Sequence, residues 1–530
     1  MSNNETLKSS QSDDFQLPNW LTAEQLSGMQ RGIEKEGLRM RPDGFLADTP
    51  HPKALGSKLT HPYITTDYSE SLLELITDPK ATPKETLSML RQLHVLVYQA
   101  LEGGELMWPL SMPCMLASDD KDIPLADYGS SNMGKLKTLY RSGLGVRYGR
   151  RMQTIAGLHY NLSFGNDLFR AWQSNDATEA SAALDLTTFK NEKYLALIRN
   201  FKRMTGLVLY LLGASPSVCP CFLTGRKHDL IPLNDKTYYQ PQGTSLRMGK
   251  LGYTNSVQEH LDIRYNNLPE YIEGLRGAIG TPHETFSAMG VDDEKGNPVQ
   301  INDHILQIEN EYYSPIRPKQ VSESGESPTE ALERRGIAYV EFRAIDLDPY
   351  SDVGIRLSSA CFLEVLALYC LLSPSPDLFP EEEERLAAAV ELIVNHGRDP
   401  NLKIPLKSGE QDFAPWMQQH LNQMLPLAAL LDAHHGGNDY RTALALMQGK
   451  VSNPNLTLSA QVENDSKRLG STWQLGYTLA CQHRDLLLQQ TLSPNARANY
   501  EVLAEKSVIQ QAELEAADNE DFKQFLQQYR

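Results

Sequence analysis

Several short stretches of this chain alternate apolar and polar residues with a period of two, which predicts half-buried strands. In Arg31-Gly-Ile-Glu34-Lys-Glu36-Gly-Leu-Arg39, Glu34 and Glu36 fall on one face while Ile33 and Lys35 fall on the other. In Gly157–Phe164, the apolar set Leu158, Tyr160, Leu162 and Phe164 alternates with His159, Asn161 and Ser163. Ile305–Tyr313 repeats the pattern, with Gln307, Glu309, Glu311 and Tyr313 on one side. Ala338–Ala344 does so again, setting Val340 and Phe342 against Glu341 and Arg343. Glu70–Thr77, closed by Asp78-Pro79, reads as a further strand carrying Glu74. Each predicted strand keeps one face for polar or ionisable side chains.

The rest of the pattern is largely helical. Trp20 to Gly32 predicts a short helix leading into the first strand. Thr82-Pro83-Lys84-Glu85 supplies a cap, a proline at the first helical position and a capping-box acid. Leu87, Leu90, Leu93, Val97 and Leu101 then recur at helical spacing before Gly103-Gly104 stops the run. Residues 190–214 predict a long apolar helix, and from Asp352 the chain is mostly helical, ending in a charged, partly amphipathic helix over Tyr500–Arg530. Gly134–Arg151 concentrates Lys135, Lys137, Arg141, Arg147, Arg150 and Arg151, which reads equally as a solvated or an anion-facing helix face. Residues 1–17, rich in Ser, Asn, Gln and Asp, predict a disordered lead-in. The expectation is an α+β protein with a single catalytic unit at 18–530, made of a sheet-bearing core (18–350) and a mainly helical C-terminal part (351–530).

Composition narrows the partners. The formal net charge of −17 over 530 residues argues against broad binding to nucleic acid or anionic membrane. Six cysteines (Cys114, Cys219, Cys221, Cys361, Cys370 and Cys481) fit reduced, mostly buried thiols of a cytoplasmic protein. The close pair Cys219-Pro-Cys221 lacks a second Cys/His pair at zinc-site spacing. Met1–Gln16 has no apolar segment of the secretory-signal kind, and runs such as Gly206–Leu212 are too short to span a bilayer. A soluble, cytoplasmic protein without nucleic-acid or membrane partners is expected.

Two carboxylates at i and i+2 repel, and a divalent cation or a cationic partner removes the conflict. A solvated strand edge is the other reading of Glu34 and Glu36. His159 likewise reads as a satisfied core or edge histidine or as a ligand, and Glu341 with Arg343 as a plain ion-pair face or part of a site. If the strands are antiparallel neighbours with helices behind them, their polar faces gather in one concavity. Carboxylates with one imidazole suit Mg²⁺ or Mn²⁺, and Arg343 offers a fixed guanidinium for phosphate oxygens. Gly-x-x-x-x-Gly-Lys-Ser/Thr, Gly-x-Gly-x-x-Gly, His-Glu-x-x-His and Gly-x-Ser-x-Gly are absent, so a bound nucleotide would be held by metal and basic side chains.

Seven blocks occur in a fixed order: Gly32-Ile-Glu34-Lys-Glu36-Gly-Leu-Arg39, Ile64-Thr-Thr-Asp67-Tyr68, Leu73-Glu74-Leu-Ile-Thr77, Met107-Trp-Pro-Leu-Ser-Met-Pro-Cys114, Gly157-Leu-His159-Tyr-Asn161, Ser314-Pro-Ile-Arg317-Pro-Lys319 and Tyr339-Val-Glu341-Phe-Arg343. Together, from Gly32 to Asp348, they resemble the proteobacterial type of glutamate–cysteine ligase. The resemblance implies a glutamine-synthetase-like fold, in which a curved, largely antiparallel sheet forms an active-site funnel with helices packed outside. It implies ATP-dependent ligation of L-glutamate to L-cysteine through a γ-glutamyl phosphate, giving γ-glutamylcysteine, the first intermediate of glutathione biosynthesis.

The same resemblance makes Glu34, Glu36, Asp67, Glu74, His159 and Glu341 ligands of Mg²⁺ or Mn²⁺, and Arg343 the catalytic group stabilising the transferred phosphoryl. It assigns the cysteine pocket to Tyr68, Tyr140, Leu144, Gln153, Arg247, Tyr253 and Tyr313, with Arg247 on the cysteine carboxylate. Feedback inhibition by glutathione and a monomeric state are further family expectations. Two features depart from the family pattern: Tyr68 stands where phenylalanine is expected, and Tyr239-Gln-Pro-Gln-Gly243 replaces a tyrosine-bearing form before Arg247. The alternatives are a ligase of this fold with another amine acceptor, and a non-catalytic metal-binding protein.

Overall fold

The computed structural model describes residues 15–176, 183–252, 257–258, 261–323 and 325–530. In chain order its strands are β1 (Gln30–Met40), β2 (Ile64–Thr66), β3 (Leu72–Ile76), β4 (Leu106–Met107), β5 (Leu158–Ser163), β6 (Ser217–Val218), β7 (Ile231–Asn234), β8 (Thr237–Tyr239), β9 (Ile316–Lys319), β10 (Tyr339–Ile345), β11 (Lys403–Leu406) and β12 (Gly409–Asp412). The main sheet runs β2-β3-β1-β5-β10-β9, with β4 pairing the end of β1. All its pairings are antiparallel. β6, β7 and β8 form a small separate sheet, and β11 with β12 a hairpin. The architecture is α+β, as expected.

Alternation decides the two faces of the main sheet. Ile33, Tyr160, Leu162, Val340 and Phe342 are buried on the back, against helices. The long helix Leu186–Leu212 packs there, its Phe201 ring lying 4.7 Å from that of Phe342. Such an aromatic pair contributes roughly 0.5–1.5 kcal/mol beyond its buried area. The helix Pro83–Ala100 (α1) begins as its sequence predicts, with Thr82 accepting the Glu85 N–H at 3.2 Å. The apolar helix Leu357–Leu372 carries one charged residue, Glu364, completely buried. Its carboxylate accepts from Arg31 Nε at 2.7 Å, Arg31 Nη2 at 3.0 Å, Tyr160 Oη at 2.7 Å and Tyr440 Oη at 2.7 Å. That network ties β1 and β5 to the helices from behind.

Three expectations need correction. Ile305–Tyr313 is not a strand but a loop with one 3₁₀ turn at Glu309–Glu311. Its acids take local partners instead of a strand neighbour: Glu311 accepts from Arg147 Nη1 at 3.0 Å, Tyr148 Oη at 2.6 Å and the Gln307 N–H at 2.7 Å, while Glu309 accepts from Thr329 Oγ1 at 2.5 Å. Trp20–Gly32 is a single 3₁₀ turn at Ala23–Leu26, because β1 begins at Gln30. The thiols are less uniformly buried than expected, since Cys219, Cys221 and Cys481 are half-buried.

The basic stretch forms the helix Asn132–Tyr148 (α2) and is neither simply solvated nor simply anion-facing. Arg147 is buried against Glu311, and the Arg141 side chain donates to the backbone carbonyls of Asp67 and Lys137. Most of the expected lead-in, residues 1–14, lies outside the described residues. At its described end, Phe15 packs edge-on to Tyr369, ring centroids 5.3 Å apart.

Candidate active site

Register brings the polar positions together. Glu36 lies opposite Glu74, Glu34 opposite His159, Asn161 opposite Glu341, and Glu341 opposite Arg317. Directly paired residues share a face, so the front of the sheet collects these side chains in one row across five strands. One ligand atom from each of Glu34, His159 and Glu341 lies within 4.8 Å of the other two. His159 Nδ1 is 3.4 Å from Glu34 and 3.6 Å from Glu341, while its Nε2 is 3.9 Å from Glu36. Asn161 Nδ2 donates to Glu34 at 2.9 Å, and the Gly157 N–H donates to Glu36 at 2.6 Å.

The charge along this row is graded. At the β3 end, burial and then the charges of Glu34, Asp67 and Glu36 push the Glu74 carboxyl well above the ordinary range. Burial raises Glu36 as well, against the opposing pull of His159 and Arg247. At the β10 end burial also works against ionisation, yet Lys319, Arg343, His159 and Arg317 hold Glu341 well below the usual carboxylate range. Arg343 donates to Glu341 at 3.2 Å, and Lys319 Nζ stands 3.8 Å away. One extra residue of β10 between Phe342 and Ile345 breaks the register against β5, so the strand is bulged at Arg343. Bulges of this kind re-aim a side chain beside a site.

An oxygen-rich set with one imidazole is the donor chemistry that fits Mg²⁺ or Mn²⁺. Asp67 stands apart from the trio: it follows β2, its side chain is 43% exposed, and its nearest cation is Arg141 at 3.9 Å. Among the other expected residues, Arg247 is buried, donates to the Arg343 carbonyl at 2.9 Å and lies 3.7 Å from Asp346. A side chain at Gly157 would collide with its guanidinium. Tyr313 joins Arg247 through Met248, whose sulfur lies 2.9 Å from Tyr313 Oη and 3.4 Å from Arg247 Nη1. Tyr68 is buried with its hydroxyl against Gly145 of α2, the helix that also carries Tyr140 and Leu144. Gln153 is half-buried on the turn Met152–Thr154 that leads into β5. Tyr253 lies outside the described residues.

The sequence pattern alone left Arg317 and Lys319 without a role, because Pro318 between them interrupts the alternation. β9 is the edge strand of the sheet, where proline is tolerated, and it carries both cations toward Glu341.

Comparison with known proteins identifies the family. The sequence model of the glutamate–cysteine ligase family matches residues 16–393. The chain is 47% identical over 509 residues to the glutamate–cysteine ligase of Alcanivorax borkumensis, covering 95% of this chain and 96% of that protein. It is 44% identical over 517 residues to that of Saccharophagus degradans, covering 95% and 94%. The crystal structure of the glutamate–cysteine ligase of Francisella tularensis, in complex with AMP, superposes with a TM-score of 0.88 at 32% identity, over 94% of this chain and 97% of that one. A bifunctional glutathione synthetase from Pasteurella multocida superposes with a TM-score of 0.68 at 25% identity, over 91% of this chain and 56% of that one.

Proposed function

The chain belongs to the glutamate–cysteine ligase family, an ATP-dependent ligase forming γ-glutamylcysteine in the first step of glutathione biosynthesis, and we propose that the front face of its main sheet is the active site. The observation that carries this assignment is the convergence of Glu34, His159 and Glu341 beside the bulged Arg343. In this reading Mg²⁺, or Mn²⁺ in its place, is held by Glu34, Glu36, Glu74, His159 and Glu341, with Asp67 at the margin. Bound there, it supplies charge neutralisation to the phosphates of ATP.

The side chains divide the remaining work. Arg343 presents its guanidinium to the γ-phosphoryl as a γ-carboxylate oxygen of glutamate attacks phosphorus and ADP departs. Arg247 receives the carboxylate of cysteine, while Tyr68, Tyr140, Leu144, Tyr253 and Tyr313 enclose its small side chain and Gln153 supplies a polar edge. The cysteine amine, so oriented, attacks the acyl carbon of the γ-glutamyl phosphate. The C–O bond to phosphate breaks, the amine loses its proton, and the amide and inorganic phosphate are formed. Glutathione, whose γ-glutamylcysteine part fits both substrate positions, is read as a feedback inhibitor. The enzyme is further read as a cytoplasmic monomer whose residues 18–530 act as one catalytic unit, supported by the buried contacts of Glu364 with β1 and β5.

The test is phosphate release from ATP and glutamate, started by cysteine. Cysteine dependence is expected, and Glu341→Ala and Arg343→Ala should each remove turnover while leaving the fold intact. Normal turnover in either variant overturns the assignment of the site. Faster release with alanine or glycine than with cysteine, at equal concentration, overturns the cysteine pocket.

A further inference from the structure

Arg317 sits on the edge strand β9, directly opposite Glu341 in the β9–β10 ladder, and shares its face with Arg343 two residues along β10. It is buried to 7% exposure. Its Nη2 donates to the Asn310 carbonyl at 3.1 Å, while its Nε is buried without a hydrogen-bond partner among the described residues. Arg343 is in the same state: it donates to Glu341, and its Nε is buried and without a partner among the described residues. Two guanidiniums and the Lys319 ammonium therefore gather at the β9–β10 end of the acidic row, Arg343 and Lys319 against Glu341 and Arg317 opposite it in the ladder.

This is a costly arrangement. Burial and the neighbouring charge of Arg343 both act against the ionised form of Arg317, yet arginine does not give up its proton. Both guanidiniums also keep a buried N–H donor that only an arriving acceptor completes. A carboxylate occupies one planar fork, whereas a phosphoryl group in transfer spreads charge over three oxygens and can engage two forks at once. Resting on the ligase reading of this face, we propose that Arg317 is a second catalytic arginine, gripping with Arg343 the phosphoryl group that passes from ATP to the γ-carboxylate of glutamate.

The experiment compares Arg317→Lys and Arg317→Gln with the wild type in the full chain. Lysine keeps the charge and loses the fork; glutamine loses both. ADP formation is followed in a single turnover with ATP and glutamate, and kcat, the KM values, ADP affinity and Tm are measured alongside. The expected result is a fall of about 10²–10³-fold in kcat and in single-turnover ADP formation for glutamine. Lysine should restore part of that loss. The KM for cysteine and the affinity for ADP should stay within a few fold, and Tm near wild type. Three results overturn the proposal: kcat within twofold of wild type in both variants, lost ADP affinity with kcat retained, or activity that merely tracks the folded fraction. If Arg317→Gln does not fold, Arg317→Lys decides alone. A wild type with no cysteine-dependent phosphate release would instead sink the ligase reading, so the two failures are distinct.

Discussion

Buried charge lies against both faces of the β1–β5 pair, and the two faces are built oppositely. On the back, Glu364 is paired with Arg31 and also accepts from Tyr160 and Tyr440, and neither charged side chain is exposed. On the front, Glu34, Glu36 and Glu341 crowd around His159, and the cations stand at the β9–β10 end. Arg31 and Glu34 are three residues apart on β1, an odd spacing that puts them on opposite faces of the strand. A buried carboxylate with all its acceptors filled locks register, because no other alignment of the strands satisfies it. A buried carboxylate left among its like keeps its electrostatic capacity for something that arrives later. The back holds the strands in place so that the front can stay unsatisfied.

The largest expected effect comes from the same isosteric change made on each face. Glu341→Gln should cut turnover by at least about 10³-fold, roughly 4 kcal/mol of transition-state stabilisation, and should lower metal-free stability without unfolding the protein, because Arg343 and Lys319 lose their carboxylate. Glu364→Gln should leave Arg31 buried without its counter-charge and cost about 3–5 kcal/mol of stability. Its turnover per folded molecule should stay within a few fold of wild type. Urea unfolding in the absence of metal, paired with activity normalised to the folded fraction, measures both quantities. If Glu341→Gln unfolds the protein, or Glu364→Gln folds normally and is inactive, the division of labour between the faces is wrong.

A smaller effect concerns pH. Burial and neighbouring carboxylates hold Glu74 well above its ordinary range, so the metal-free fold binds a proton there that the unfolded chain has released. The folded value is raised, so its contribution to stability is complete below the unfolded value of about 4.3 and declines as pH rises toward the folded value. One such proton changes stability by at most about 1.4 kcal/mol per pH unit. Metal-free stability should therefore fall from pH 5 to pH 7, and the slope should shrink when Mg²⁺ expels the proton. Urea midpoints with and without Mg²⁺ test this; identical slopes would mean that Glu74 does not feel the metal. Glu364 lies behind the sheet, paired with Arg31, and Glu364→Gln should leave the Mg²⁺-dependent part of the slope in place.

The front face was more legible in the sequence than the back. Glu34 with Glu36, His159 with Asn161 and Glu341 with Arg343 each announce a polar strand face by period two. What alternation cannot report is that β1, β5 and β10 are neighbours, since pairing joins Glu34 to His159 and Asn161 to Glu341 across long stretches of chain. For the same reason Ile305–Tyr313 read as a strand: its alternation is real, but its acids are satisfied by Arg147, Tyr148 and Thr329. Glu364 left a different signal, a lone acid in the otherwise apolar run Phe362–Leu372. Such a residue demands a partner, but that partner, Arg31, is 333 positions away. The proposed cysteine pocket rests on family resemblance alone, because its residues share no period.

The smallest expected effect asks whether an unsatisfied buried group always marks a ligand. Tyr68 is 1% exposed and its hydroxyl lacks a hydrogen-bond partner among the described residues, yet it points at Gly145 rather than along the row of acids. A Cβ at Gly145 would collide with that oxygen, so the missing side chain on α2 is what admits a tyrosine where the family pattern has phenylalanine. Tyr68→Phe should then leave kcat/KM for cysteine within twofold and stabilise the fold by about 1 kcal/mol, the cost of an unpaired buried hydroxyl. Gly145→Ala gains up to about 1 kcal/mol of helix propensity but forces the ring to move, at a cost of about 1–3 kcal/mol. In the double variant the clash is gone and the propensity gain remains, so the two changes should couple by at least about 0.5 kcal/mol in a double-mutant cycle. A Tyr68→Phe enzyme with strongly reduced cysteine selectivity would place the hydroxyl with the substrate-facing groups. Additive stabilities would show that Gly145 is not what accommodates it.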